Sequence, residues 1–176
     1  PMPSDGPWGE GSGYLPNNQF DFEQWIGQDG TAAVIENIAA AGVQSKIFIS
    51  GLSMGGFGAL RLGAKYPSIF SGISAHSSMT ALTQMTLFVE EALHQYSQNE
   101  KYNEDVLETM LKNKNNLPPN RFDCGSSDKL SEVNRMLHKK MDEYDIPHEY
   151  VEFSGEREWP YWIEHFKDSL MFFNNL

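Results

Sequence analysis

The hexapeptide Gly51-Leu52-Ser53-Met54-Gly55-Gly56 constrains this chain more than any other stretch, because of what flanks it. Before it stands the apolar-rich run Ser45-Lys46-Ile47-Phe48-Ile49-Ser50, which reads as a buried strand. After it, Gly56 to Tyr66 carries small and apolar residues at helical spacing until Pro67 stops the helix. A G-x-S-x-G turn between a strand and a helix forces its serine into a sparsely populated backbone conformation. It tolerates only small residues two positions before and after, since anything larger collides with the strand or the helix. Ser53 Oγ is thereby lifted above the carboxyl end of the strand. The Met54 N–H, at the helix N-terminus, points to where an oxyanion would form. Such a turn is a nucleophile elbow, suited to acyl transfer.

The rest of the composition narrows the partners. The chain has 176 residues, 40% of them apolar, enough for one domain with a substantial core. A net charge of −11 argues against nucleic acid or an anionic membrane as partner, because phosphate contacts need a surplus of Lys and Arg. The single cysteine, Cys124, excludes an intrachain disulfide. Nothing in the sequence resembles a signal peptide or a transmembrane span.

Around the elbow, the periodicities alternate between helix and strand. Residues 1–20 are rich in Gly, Pro, Asn and Ser and read as a long loop. Phe22 to Ala41 is compatible with one helix or two, closed by Gly42. A strand at Lys46–Ser50, the elbow helix and a strand at Phe70–Ala75 then follow, an order that favours a parallel sheet. Between Ser77 and Asn120 no strand is evident. Helices are expected at Leu82–Tyr96 and Glu104–Lys112, so this segment, at about 77–120, reads as a helical cap over the site. Arg121–Cys124 is a short strand. Leu130–Tyr144 is an amphipathic helix with Val133, Met136, Leu137 and Met141 on one face, Glu149–Phe153 a last strand and Glu158–Asn174 a last helix.

A serine nucleophile needs a base to take its proton and an acid to orient that base. Asp128 suits the acid: it follows the Arg121–Cys124 strand in the loop Gly125-Ser126-Ser127-Asp128, at the carboxyl edge where the elbow also lies. The competing role is an N-cap for the next helix, and the two roles are compatible. The loop after the last strand, Ser154-Gly155-Glu156-Arg157-Glu158-Trp159, is where the base belongs, and it contains no histidine.

Several blocks together resemble the esterase D-like branch of the α/β-hydrolases, the branch of S-formylglutathione hydrolases, tributyrin-type carboxylesterases and feruloyl or acetylxylan esterases. They are Met2-Pro3-Ser4-Asp5-Gly6, the stretch from Gly51 to Leu60, Asp123-Cys124-Gly125-Ser126-Ser127-Asp128 and Ile146-Pro147-His148-Glu149-Tyr150. The resemblance implies a three-layer α/β fold with a mostly parallel sheet. It also implies Ser53 as nucleophile, Asp128 as triad acid, the Met54 N–H as one oxyanion donor, a small-molecule ester as substrate and no cofactor.

The chain departs from that branch in two places. The branch usually has Pro-Gly-x-His-x-Trp before Trp159-Pro160-Tyr161-Trp162, so Arg157 stands where the resemblance puts the catalytic histidine. Arginine stays protonated and cannot act as a general base at neutral pH. The branch also has an earlier segment, with the first strands and the second oxyanion donor, and residue 1 of this chain falls after it. Residues 1–176 thus read as one partial domain. Its unpaired apolar sheet edge is expected to drive self-association.

The remaining histidines offer no obvious base. His165 lies about two helical turns beyond Arg157, roughly 12 Å of rise if the intervening residues are helical. His76 sits at a carboxyl strand end, where it either lines the pocket or packs. His94, His138 and His148 read as helix-surface or loop residues. No H-E-x-x-H set occurs, and with one cysteine no metal site is expected. Phe20, Trp25, Trp159, Tyr161 and Trp162 are readable as substrate contacts, but core packing is the commoner use of such residues. Two functions follow: a serine carboxylesterase acting through an acyl-enzyme on Ser53, or a hydrolase fold that binds without turning over because of Arg157.

Overall fold

The computed structural model describes residues 11–17, 20–38, 42, 44–90 and 92–176. Its centre is a four-stranded, all-parallel sheet in sequence order: β1 (Ile47–Leu52), β2 (Phe70–His76), β3 (Asn120–Gly125) and β4 (Glu149–Phe153). Side chains alternate across it as a pleated strand demands. Ile49, Ile73 and Phe122 join the apolar core on one face, while Ser74, His76, Arg121 and Asp123 point to the other.

The first face is covered by α3 (Met54–Lys65), α4 (Val106–Lys112) and α5 (Ser131–Glu143), which pack against one another in that order. Phe57, Leu60 and Leu62 of α3 are fully buried there, together with Met110 and Met141. The second face is covered by α6 (Trp159–Asn174), which lies on β1 and β2 with Phe48 stacked on Phe173. Helices on both faces give the three-layer α/β arrangement that the parallel order requires.

Residues 22–37 form one continuous helical stretch: α1 (Phe22–Gln24), a π-type turn (Trp25–Asp29) and α2 (Gly30–Asn37). Asp21 caps it by accepting the Gln24 N–H at 2.8 Å. The stretch ends with extended Ile38, short of the expected Gly42, and residues 39–41 lie outside the described part. It is anchored by Glu23, which accepts from Arg61 of α3, from Lys65 Nζ at 2.5 Å and from Tyr66 Oη at 2.8 Å. Arg61 is fully buried and also donates to the Tyr14 carbonyl, so this ion pair draws residues 11–15 against the elbow helix.

Two sequence expectations need correction. Leu82–Tyr96 is not an α-helix: it contains 3-10 turns at Leu82–Leu87 and Leu93–Gln95, with Phe88 and Val89 between them. The Gln84 side chain accepts the Thr80 N–H at 2.7 Å, a local alternative to the helical ladder. Among the described residues of the 77–120 segment only α4 is an α-helix, preceded by a 3-10 turn at Lys101–Glu104. On α5, Met136 faces solvent and Asn134 is buried instead, its amide donating to the Ser78 and Leu130 carbonyls, each at 2.8 Å. Among the described residues no helix is long and apolar enough to cross a membrane.

Candidate active site

β1 delivers Ser53 to its carboxyl end and α3 begins at the very next residue. Ser53 has φ 58° and ψ −119°, a region that non-glycine residues rarely occupy. Holding it there costs on the order of 1–3 kcal/mol, which the surroundings must over-determine. They do so through three backbone bonds: Ser53 N–H to the His76 carbonyl at 2.8 Å, and its own carbonyl accepting from Phe57 and Met79 N–H, each at 3.2 Å. Gly51 is obligatory because a Cβ there would run into the Gly55 carbonyl. Met54 is the first residue of α3, so its N–H is one that the helix itself does not use.

Ser53 is 6% exposed, and its Oγ accepts a hydrogen bond from the Arg157 guanidinium. Arg157 thus stands directly against the Ser53 hydroxyl. It is held by stacking: its guanidinium lies 3.8 Å from the Phe88 ring centre and 5.9 Å from that of Trp162. Burial lowers the pKa of this group, and the charge of Asp128 opposes that fall. It remains a cation at neutral pH, able to stabilise a Ser53 alkoxide but unable to accept its proton.

Asp128 is buried in the loop after β3. Its Oδ1 accepts the Leu130 N–H at 2.8 Å and its carbonyl accepts from Ser131, so it caps the entry to α5, which starts slightly later than expected. Its Oδ2 has no hydrogen-bond partner among the described residues, and neither does Arg157 Nε. The Asp128 loop and the Arg157 loop are stitched together. Ser126 N–H donates to the Phe153 carbonyl at 2.8 Å and Ser127 N–H to the Gly155 carbonyl at 2.9 Å. A Cβ on Gly125 would strike the Gly155 carbonyl, and Gly155 itself sits at φ 147°. Ser53, Asp128 and Arg157 are therefore brought to one end of the sheet.

The other sequence candidates lie elsewhere. His76 faces α6, with Nε2 2.7 Å from Ser169 Oγ and Nδ1 2.8 Å from Asp123 Oδ2. The second contact has ion-pair distance but not hydrogen-bond alignment, so neither atom has a hydrogen bond among the described residues. Tyr161 Oη donates to Asp123 Oδ1 at 2.9 Å, and Arg121 Nη2 lies 3.0 Å from Asp123 Oδ2. His76 is thus part of a buried polar network that fastens α6 to the sheet. Burial and the Asp123 charge both raise the Tyr161 pKa. His165 stacks on Phe153 at 3.9 Å and meets Asp168 at 3.1 Å, with no contact to Ser53. Phe20, Trp25 and Trp159 are exposed, Tyr161 is buried, and only Trp162 reaches Arg157. Phe88 was missed from the sequence because nothing local marks it.

A strained serine between a parallel strand and a helix, with an acid on a later strand-end loop, defines an α/β-hydrolase fold of the serine type. Residues 34–173 match the profile of the Esterase family, described as "Putative esterase", and the chain belongs to that family. It is 29% identical to an acetyl esterase of Caldicellulosiruptor saccharolyticus over 89% of this chain and 65% of that protein. The chain therefore spans about two thirds of the length of this relative. Its fold is also that of FphF, a fluorophosphonate-binding serine hydrolase of Staphylococcus aureus (TM-score 0.78, 19% identity, 92% of this chain and 67% of that one). An S-formylglutathione hydrolase of Agrobacterium tumefaciens is similarly close (TM-score 0.76, 19% identity, 92% and 62% of the two chains).

Proposed function

We propose that this chain performs serine-type carboxylester chemistry on small, acetyl-sized acyl esters. Ser53 Oγ forms a bond to the ester carbonyl carbon, and the carbonyl oxygen takes up negative charge facing the Met54 N–H. The Ser53 hydroxyl proton passes to solvent water, collapse breaks the ester C–O bond, and the departing alkoxide takes a proton from water to leave as the alcohol, with the acyl group on Ser53. Water then attacks that acyl group, releasing the acid and restoring the hydroxyl. The observation that carries this reading is the Ser53 backbone, held at φ 58° with small residues around it. Strain of this kind, between a strand and a helix, is what a nucleophile elbow uses to project its hydroxyl from the turn. Family membership and the acetyl esterase relative support the reaction class and the small acyl group.

The contact between Arg157 and Ser53 favours a second reading, binding without turnover, because the leaving alcohol needs a proton that a guanidinium does not relay. Hydrolysis of p-nitrophenyl acetate and butyrate, measured beside the Ser53→Ala variant and with a fluorophosphonate probe, separates the two. Nitrophenol release and labelling that both vanish in Ser53→Ala are expected. No release and no labelling would favour the binding reading. We further propose that the edge of β1, which pairs with no other strand among the described residues, joins a second copy of the chain. A monomer by light scattering at high concentration would count against that.

A further inference from the structure

At the end of the sheet opposite Ser53, where α5 finishes and β4 begins, two histidines and an aspartate converge. His138 and Asp142 are one turn apart on α5, and His148 immediately precedes β4. Each offers one ligand atom, and those atoms lie within 4.8 Å of one another. His138 Nδ1 is 2.7 Å from His148 Nε2. Asp142 Oδ1 is 4.0 Å from His148 Nε2, and Asp142 Oδ2 is 3.7 Å from His138 Nε2.

The surroundings prepare His148 as a ligand. Its Nδ1 lies 2.7 Å from the Ile146 carbonyl, which can only accept, so the ring hydrogen sits on Nδ1 and Nε2 presents a lone pair toward His138. A backbone carbonyl on the far nitrogen is the usual means of orienting a metal-bound imidazole. The ring is almost wholly buried against Phe122, and His138 stacks on Tyr150 with ring centres 4.9 Å apart. Both imidazoles are therefore held before any ion arrives.

We propose that His138, Asp142 and His148 bind a divalent first-row transition-metal ion of the zinc type. Two imidazoles and one carboxylate suit zinc, cobalt, nickel or copper, whereas calcium and magnesium prefer all-oxygen sites. Ligand atoms sharing a tetrahedral ion at bonds of about 2.0–2.1 Å lie roughly 3.3 Å apart. The two nitrogens need to open slightly and Asp142 Oδ1 to close slightly. The hydrogen between the rings moves from His138 Nδ1 to Nε2, where Asp142 Oδ2 can accept it. Both imidazoles then bind as neutral groups and no proton is lost. The ion clamps the last turn of α5 to the start of β4, far from the ester chemistry, and water completes its coordination.

The test is titration of the untagged, metal-stripped chain with Co²⁺, followed by visible absorption, and with Zn²⁺ by calorimetry and thermal denaturation. One equivalent should bind, Co²⁺ should develop visible bands, and Zn²⁺ should raise the melting temperature. His138→Ala and Asp142→Asn alter exposed side chains. Each should weaken binding by at least ~10-fold, the lower bound for disturbing a metal site, while keeping the parent circular dichroism. His94→Ala, a distant exposed histidine, should bind as the parent does. Absence of saturable binding in the parent, or unchanged binding in His138→Ala, would overturn the proposal.

Discussion

Arg157→His is the substitution that most directly interrogates the site. In the present structure the guanidinium reaches Ser53 Oγ while Asp128 Oδ2 stays buried, with no hydrogen-bond partner among the described residues. An imidazole at this position could donate Nδ1–H to Asp128 and turn Nε2 toward Ser53, supplying base and orientation together. A positioned general base contributes about 10²- to 10⁴-fold. The expected gain lies near the lower end, because an imidazole reaches roughly 2–3 Å less far from Cα than a guanidinium, given side-chain bonds of about 1.5 Å. The loop at 154–158 has to move inward to make the contact. A 10²-fold gain corresponds to about 2.7 kcal/mol of barrier. The assay is the initial rate of p-nitrophenyl acetate hydrolysis from pH 6 to 9, with the Ser53→Ala rate subtracted. The base works only when neutral, so the rate should rise with pH through about 6.5 and then level off. Asp128→Asn added to Arg157→His should remove most of the gain. A folded Arg157→His protein no faster than Arg157→Ala at every pH would refute this account of the missing base.

Three further outcomes follow from buried groups. Burial pushes the Glu23 carboxyl up, but the Arg61 charge and hydrogen bonds from Lys65, Arg61 and Tyr66 outweigh it, so its pKa is lower than the ordinary 4.5. A depressed folded-state pKa gives stability that is full above the unfolded value and lost as pH falls through the folded one. Urea midpoints should therefore drop below about pH 4.5, and Glu23→Gln, less stable at neutral pH, should show a flatter acid limb. Burial, helped by the Asp128 charge, pushes the Cys124 thiol up to about 12. Ellman's reagent at pH 8 should find no reactive thiol in the native protein and one in urea. Tyr161→Phe strips a donor from Asp123 Oδ1 inside the network beneath α6. It should cost about 1–3 kcal/mol in urea unfolding, with Ser53 labelling retained.

Much of this was legible because local physics dictated it. The apolar run at Lys46–Ser50, the small residues around Ser53 and the Pro67 stop announce the strand, turn and helix within one short span, and the strand is found at Ile47–Leu52. Glu149–Phe153 was read with its observed ends. The stretch from Leu82 to Tyr96 failed because its apolar residues drop into the core from 3-10 turns and loops, and side chains such as Gln84 bond the backbone in place of the helical ladder. Met136 was assigned to the buried face although it sits about 100° round the helix from Leu137; Asn134 replaces it because the Ser78 carbonyl needs a donor. Such needs come from other elements. The same holds for Arg61, whose partner Glu23 is 38 residues away, and for Phe88 beneath Arg157. The histidines at 138 and 148 read as surface or loop residues because only the turn between α5 and β4 folds them together.

The paired bonds between the loops after β3 and β4 carry a mechanical implication. Ser126 and Ser127 are tied to Phe153 and Gly155, whereas Ser53 is tied to His76 and Met79. The residue at 157 and the carboxylate at 128 thus sit on two loops bonded directly to each other, while the hydroxyl stands on a turn bonded to the end of β2. A shift of the joined loops is expected to change the gap to Ser53 more than the spacing between the other two. A substitution that repositions the joined loops, even one far from the hydroxyl, would act on the nucleophile as a single displacement of both partners.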